Sequence, residues 1–287
     1  MLKDITIGQY YPRDTILHRL DPRVKLLGTI VYIVCVFLFQ GVIGLCLLAG
    51  ILIVLILLSQ VPVKRYLKGI RAIWVLLVIT AIFNLLLTRE GAVLWQYGIL
   101  TITARGLHHA VFYSIRLILL VIGASVMTLT TSPNKLTDGM EEGLKPLQKV
   151  GVPIHEIAMM MSIALRFIPI LGDEAEKIKR AQIARGADFE EGGLIRRVKG
   201  LIPLLVPLFV SAFSRAEDLS LAMEARCYHG GAGRTKLHPL HYAGRDYMAY
   251  LCVAAFLVAV SVLRFLDLAL PVYSYANLYH QRSFHFL

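Results

Sequence analysis

Arg185 and Arg226 hold the same place in two segments that match each other 41 residues apart. Ala175-Glu176-x4-Ala181-x2-Ala184-Arg185-Gly186 recurs as Ala216-Glu217-x4-Ala222-x2-Ala225-Arg226-Cys227. On a helix, two alanines three apart followed at once by arginine set a smooth, close-packing strip beside one permanent cation. The guanidinium fork pairs bidentately with a carboxylate, so the chemistry on offer is ionic docking rather than bond making. One Ala-Arg-Gly triplet means little by itself: glycine commonly ends a helix, and an arginine in the last turn gains about 0.3–1 kcal/mol from the helix dipole. Capping does not explain why the preceding Ala-Glu and both alanines return in one register. The pattern reads as an internal duplication with two equivalent docking points for two equivalent partners. These are Ala184, Arg185 and Gly186, and Ala225, Arg226 and Cys227.

Other chemistries find no support in the residues. No G-x-x-x-x-G-K-[ST] occurs, so the chain has no P-loop. Gly230-Gly231-Ala232-Gly233-Arg234-Thr235 lacks the lysine and the preceding strand of a phosphate cradle and reads as a link. His229, His238 and His241 have weak metal-ligand potential, because Pro239 spoils helical spacing between the last two. Glu141-Glu142 and Glu190-Glu191 are adjacent acids on solvated segments, not a buried acid/base pair. Met159-Met160-Met161 suits adaptable packing or a partner that repacks. Cysteines 35, 46, 227 and 252 show no metal or C-x-x-C spacing, and three of them lie in apolar spans, which argues against a disulfide framework.

The elements that must carry the two arginines belong to a membrane protein. The chain is 57% hydrophobic with a mean hydropathy of +0.65, beyond what a soluble domain carries. Residues 26–63 contain no charge. At 1.5 Å per residue they overrun one crossing of a ~30 Å core, so a break at Gln40-Gly41 divides them into two spans. Four spans are expected at 24–39, 42–58, 72–88 and 108–131, and a last one at 247–266. The first begins after Asp21 as N-cap and Pro22 at the first helical position. It lies too far from Met1 for a cleaved signal peptide. Arg116 inside the fourth span is an intramembrane charge expected to bond Asn84 or backbone carbonyls.

The net charge of +11 does not point to nucleic acid. Lys64, Arg65, Lys68 and Arg71 concentrate it in one short connection, which the positive-inside rule places in the cytoplasm together with the N-terminus. Lipid is the partner of that loop. From 133 to 246 the composition changes to 16 Lys/Arg against 14 Asp/Glu, dense in charge yet nearly neutral. This fits amphipathic helices with water or protein on one side. Three are expected: 133–150 ended by Gly151, 154–185 ended by Gly186, and 194–226 with Pro203 and Pro207 inside it. The charge-free run 200–214 is short of a crossing, and Glu156 and Arg166 interrupt the other apolar half, so both helices are expected along the membrane interface. The fold class is thus an all-α integral membrane protein: residues 1–132 with four spans, 133–246 as a coupling region, and 247–287 with the final span.

The chain resembles the transmembrane (T) components of energy-coupling factor transporters, and most the shared type, over essentially its whole length. The resemblance rests on Ile7-Gly8-Gln9-Tyr10 and His18-Arg19-Leu20-Asp21-Pro22-Arg23-x-Lys25-Leu26. It rests also on Arg180-Ala181-Gln182-x-Ala184-Arg185-Gly186-Ala187 and Ser220-Leu221-Ala222-Met223-Glu224-Ala225-Arg226-x-Tyr228. It implies a non-catalytic scaffold in a prokaryotic cell membrane. Arg185 and Arg226 would enter grooves of two ABC-type ATPase subunits, whose acidic residues they pair with, flanked by the small Ala184, Gly186 and Ala225. Cys227 departs from the Gly or Ser common in that family. ATP and magnesium would sit on the ATPases, with no cofactor or metal in this chain. The apolar halves would hold a membrane-embedded substrate-binding (S) subunit for a vitamin or other micronutrient, through Met159, Met160, Leu165, Phe167, Leu204 and Leu208.

Two competing readings remain at this level. A secondary transporter would need polar residues and broken helices at the bilayer midplane, for which Asn84 and Arg116 are the material. An integral-membrane enzyme would need clustered acids or histidines at the membrane edge, whereas the carboxylates here are scattered.

Overall fold

The computed structural model describes residues 10–39, 41–88, 90–97, 100–187, 193–231, 235, 237 and 239–269. In chain order it contains α1 (Ile16–Arg19), α2 (Pro22–Leu38), α3 (Val42–Ser59), α4 (Val63–Ala72), α5 (Trp74–Leu87), β1 (Val93–Tyr97) and β2 (Leu100–Thr103). These are followed by α6 (Ala104–Thr130), α7 (Pro133–Leu144), a 3-10 turn (Lys145–Val150), α8 (Ile154–Ala184), α9 (Leu194–Ala225) and α10 (Gly244–Ala269). The protein is an all-α integral membrane protein with one small hairpin among the described residues. Ile7-Gly8-Gln9, Glu190-Glu191, Gly233, Arg234 and His238 lie outside the described residues.

The chain divides into two compact units. One comprises 10–132 and the stretch from 240 onward. Its centre is α6, against which α2, α3, α4 and α5 pack. Tyr32, Val36, Phe39, Leu48, Leu119 and Leu129 are among the buried side chains joining them. Gly123 permits the closest approach: a Cβ there would stand 2.3 Å from the Tyr32 ring. The start of α2 follows from its sequence, with Pro22 at the first position and the Asp21 carboxylate accepting from Arg23 N–H at 2.9 Å. The Asp21 N–H in turn donates to the buried Asp246 carboxylate, which also accepts from Ala243 N–H, both at 2.8 Å. One acid therefore ties the beginnings of α2 and α10 together. His18, buried, accepts from Thr15 Oγ1 at 2.7 Å on Nδ1 and donates from Nε2 to the Tyr11 carbonyl at 3.0 Å.

The hairpin was not foreseen between the third and fourth spans. β1 and β2 pair antiparallel with Tyr97 opposite Leu100 and an irregularity after Val93. Strands of five and four residues are too short for a pattern of alternation to separate them from a loop. Thr103 then caps α6, accepting from Gly106 N–H at 3.0 Å and donating to the Thr88 carbonyl at 2.8 Å. The fourth span consequently starts at Ala104 rather than 108.

Arg116 bonds a backbone carbonyl and not Asn84, which instead donates to Thr80 O at 2.8 Å. The Arg116 Nη2 donates to the Phe39 carbonyl at the C-cap of α2, and its guanidinium lies over the rings of Phe112 (4.8 Å) and Tyr113 (5.4 Å). α2 has 17 residues, about 25 Å of helix, and so ends just short of a full crossing. Its last carbonyls need a donor at that depth, and a cation there also suits the negative end of the helix dipole.

The other unit is 133–239 and contains α7, α8 and α9. The expected first amphipathic helix is α-helical only to Leu144, tightens into the 3-10 turn, and stops at Gly151 with φ +88°. By length and composition α3, α6, α8, the 200–225 part of α9 and α10 each qualify as membrane spans. The pair α4–α5, bent by 59°, adds a sixth. α9 nonetheless runs on through charged residues for 32 positions, so the short uncharged run does not by itself limit the length of the helix. Helix continuity depends on backbone hydrogen bonds and not on the length of the uncharged run.

Candidate arginine-tip docking site

Both tips end in the same cap. At the end of α8, Gly186 N–H donates to Ile183 O and Ala187 N–H to Gln182 O, each at 2.9 Å. At the end of α9, Cys227 N–H donates to Glu224 O at 2.8 Å and Tyr228 N–H to Met223 O at 3.0 Å. These are two Schellman caps, with Arg185 and Arg226 as the C-cap residues and the following residue left-handed. Gly186 has φ +86° and Cys227 φ +55°. The cysteine therefore keeps the turn that glycine makes in the first tip, at the conformational cost of a Cβ in the left-handed region.

Ala184, Arg185, Gly186, Ala225, Arg226 and Cys227 are all exposed. Among the described residues neither guanidinium takes part in an ion pair, whereas Arg180 and Arg215 nearby pair with Glu176 and Glu174, each at 3.7 Å. An arginine held on an ordered cap without a carboxylate of its own is free to pair with one on another chain.

Contacts between α8 and α9 fix their relative direction. Glu174 pairs with Arg215, and Gln182 Nε2 donates to Pro203 O at 3.4 Å. As residue numbers rise on one helix they fall on the other, so the helices run antiparallel and the two tips point to opposite ends of the pair. Arg185 lies eleven residues beyond Glu174, and Arg226 eleven beyond Arg215. Each tip is thus about 16 Å from the crossing along its own helix. The Gln182 bond has a specific cause. Pro207 lacks the N–H that would occupy the Pro203 carbonyl four residues earlier, and the side-chain amide takes its place.

Residues Ile163, Phe167 and Leu171 of α8 and Arg215, Leu219 and Met223 of α9 line an open groove of about 470 Å³. Of the residues expected to contact a membrane partner, Phe167 lies in this groove and Met160 is exposed. Met159, Leu165, Leu204 and Leu208 are half-buried. The bare face of α9 is instead formed by Ile202, Leu205, Val206, Phe209, Val210 and Phe213. Helical periodicity could have separated these two stripes, since 204, 208, 212, 215 and 219 recur every three or four residues. The chain after α9 returns to the start of α8: Gly231 sits so close to His155 that a Cβ would meet its ring at 2.4 Å. The His155 Nδ1 is 2.9 Å from Glu141 Oε1. Among the described residues no three His, Cys, Asp or Glu side chains gather as a metal would require. All four cysteines are free thiols.

A family model described as cobalt transport protein matches residues 13–237, which includes both tips. The chain is 50% identical over 264 residues to a protein of Clostridium kluyveri named energy-coupling factor transporter transmembrane protein EcfT, covering 92% of this chain and 97% of that one. The same name is carried by relatives in Acidaminococcus fermentans (46% identical, 92% and 98% covered) and Bacillus subtilis (45% identical, 86% and 93% covered). The chain belongs to the family of energy-coupling factor transporter transmembrane proteins. As a member of that family it is a multi-pass membrane component of a transporter. The two arginine caps and the crossing that separates them lie within the length shared with these relatives.

Proposed function

We propose that this chain is the scaffold that couples ATP hydrolysis by two cytoplasmic ABC-type ATPase subunits to reorientation of a membrane-embedded S subunit, importing a vitamin or other micronutrient. The observation that carries this reading is the pair of caps with one hydrogen-bond pattern, presenting Arg185 and Arg226 at opposite ends of two antiparallel helices. Two equivalent ATPases need two equivalent handles, and each handle here is one unpaired guanidinium on a rigid turn. In this reading α8 and α9 lie along the membrane interface, so that the N-terminus and both tips face the cytoplasm, and nucleotide and magnesium reside on the ATPases. The bare apolar face of α9 and the exposed methionines of α8 are covered by lipid and the S subunit. Arg116, which a self-contained transporter would use for substrate, is occupied as the cap of α2.

The test uses the assembled transporter in liposomes. Arg185→Glu or Arg226→Glu should each reduce ATPase copurification and uptake, and the double variant should reduce both further, since reversed charge repels the acidic groove. Exchanging the S subunit while this chain is kept constant should change the substrate imported. Normal ATPase capture and uptake by both variants would reduce the arginines to helix caps.

A further inference from the structure

Glu174 and Arg215 are equivalent positions of the internal repeat, separated by the same 41 residues as the two tip arginines. They are also partners in the ion pair between α8 and α9, at 3.7 Å. In an antiparallel pair of related helices, a residue meets its own counterpart only where the two-fold relation passes through the contact. The pair therefore marks the pseudo-two-fold point of the crossing, and the two arms to Arg185 and Arg226 are equal because of it.

At such a point the repeat is least able to remain a repeat. The alanines next to it, Ala175 and Ala216, are identical, as are Glu176 and Glu217 one residue further on. Had the duplication also kept one charged residue type at 174 and 215, like charges would meet on the axis and repel. The chain has Glu on one helix and Arg on the other. The opposite charges select the register in which the two positions meet. Both side chains are only partly exposed, Glu174 at 30% and Arg215 at 39%. The Arg215 Nε is buried without a hydrogen-bond partner, so this guanidinium is held at the crossing and not spread in solvent.

We infer that Glu174 and Arg215 are positioning residues that pin the crossing of α8 on α9, forming the pivot about which the two arginine tips stand at equal arms. A slip of one helical turn along either helix would carry its tip about 5.4 Å along the helix axis relative to the other tip, and the two tips could no longer meet two fixed sites together. This rests on the proposed coupling function for its consequence, but the pivot itself is a property of this chain.

The experiment compares Glu174→Arg, Arg215→Glu, the reciprocal swap and the neutral Glu174→Gln/Arg215→Gln in the complete transporter and in the purified chain. In the purified chain, amide exchange across 170–178 and 211–219 should accelerate about tenfold in each reversal and return to within about twofold of the unaltered chain in the swap. The neutral pair, which keeps the fold without like charges, should lie between. In the complete transporter the reversals should retain the ATPases yet import less substrate per ATP hydrolysed, and the swap should recover the ratio. Reversals that exchange normally, or a swap no better than the reversals, would overturn the pivot. Protection that follows charge complementarity while even the unaltered chain captures no ATPase would uphold the pivot and remove the docking function.

Discussion

Replacing Cys227 by glycine, and Gly186 by cysteine, exchanges the residues that turn the chain just past each arginine. Cys227 sits at φ +55°, inside the left-handed well open to L residues at a cost of roughly 1–2 kcal/mol. Glycine would remove that cost, while its looser unfolded chain offsets about 0.4–1 kcal/mol. The expected net gain is about 0.5–1 kcal/mol, or two- to fivefold slower opening of the cap. Gly186, at φ +86°, lies about 30° from the centre of that well and outside its edge. A Cβ there would meet nothing within 4 Å, so the penalty is one of backbone conformation alone. Cysteine should cost roughly 1–2 kcal/mol and open the first cap about five- to thirtyfold more often. Hydrogen exchange reports this directly through Ala187 and Tyr228, whose N–H groups donate to Gln182 O and Met223 O, once intrinsic rates are corrected for the new neighbours. Slower exchange at Tyr228 in Cys227→Gly together with faster exchange at Ala187 in Gly186→Cys is expected. Faster exchange at Tyr228, or an unchanged rate at Ala187, would refute the view that both tips are held by equivalent left-handed caps.

Two further changes test the frame of the membrane unit. Arg116→Leu removes an intramembrane charge but leaves the Phe39 carbonyl without its donor; it should destabilise the purified chain by roughly 1–3 kcal/mol in a thermal melt, with Arg116→Gln intermediate. A more stable leucine variant would show that the arginine does not cap α2. Asp246→Ala strips the acceptor from the Asp21 and Ala243 N–H groups and should cost roughly 3 kcal/mol, with Asp246→Asn recovering part of it. Equal melting of alanine and wild-type chains would mean that water replaces the carboxylate.

Three helix boundaries were legible in the chain itself. Asp21-Pro22, Gly151 and Gly186 act through hydrogen bonds and dihedral preferences that span five residues or fewer, so the letters nearby suffice. The membrane class and the repeat were equally readable, because both are properties of composition and register. Tertiary structure decided the rest. Nothing local states that α9 runs antiparallel to α8, that Gln182 fills the carbonyl left open by Pro207, or that Arg116 reaches Phe39, 77 residues away in sequence. Glu174 and Arg215 looked like any solvated charges until the crossing brought equivalent positions together. The side of α9 that stays bare was settled in the same way. A helix announces its stripes, but only its neighbour determines which of them is covered.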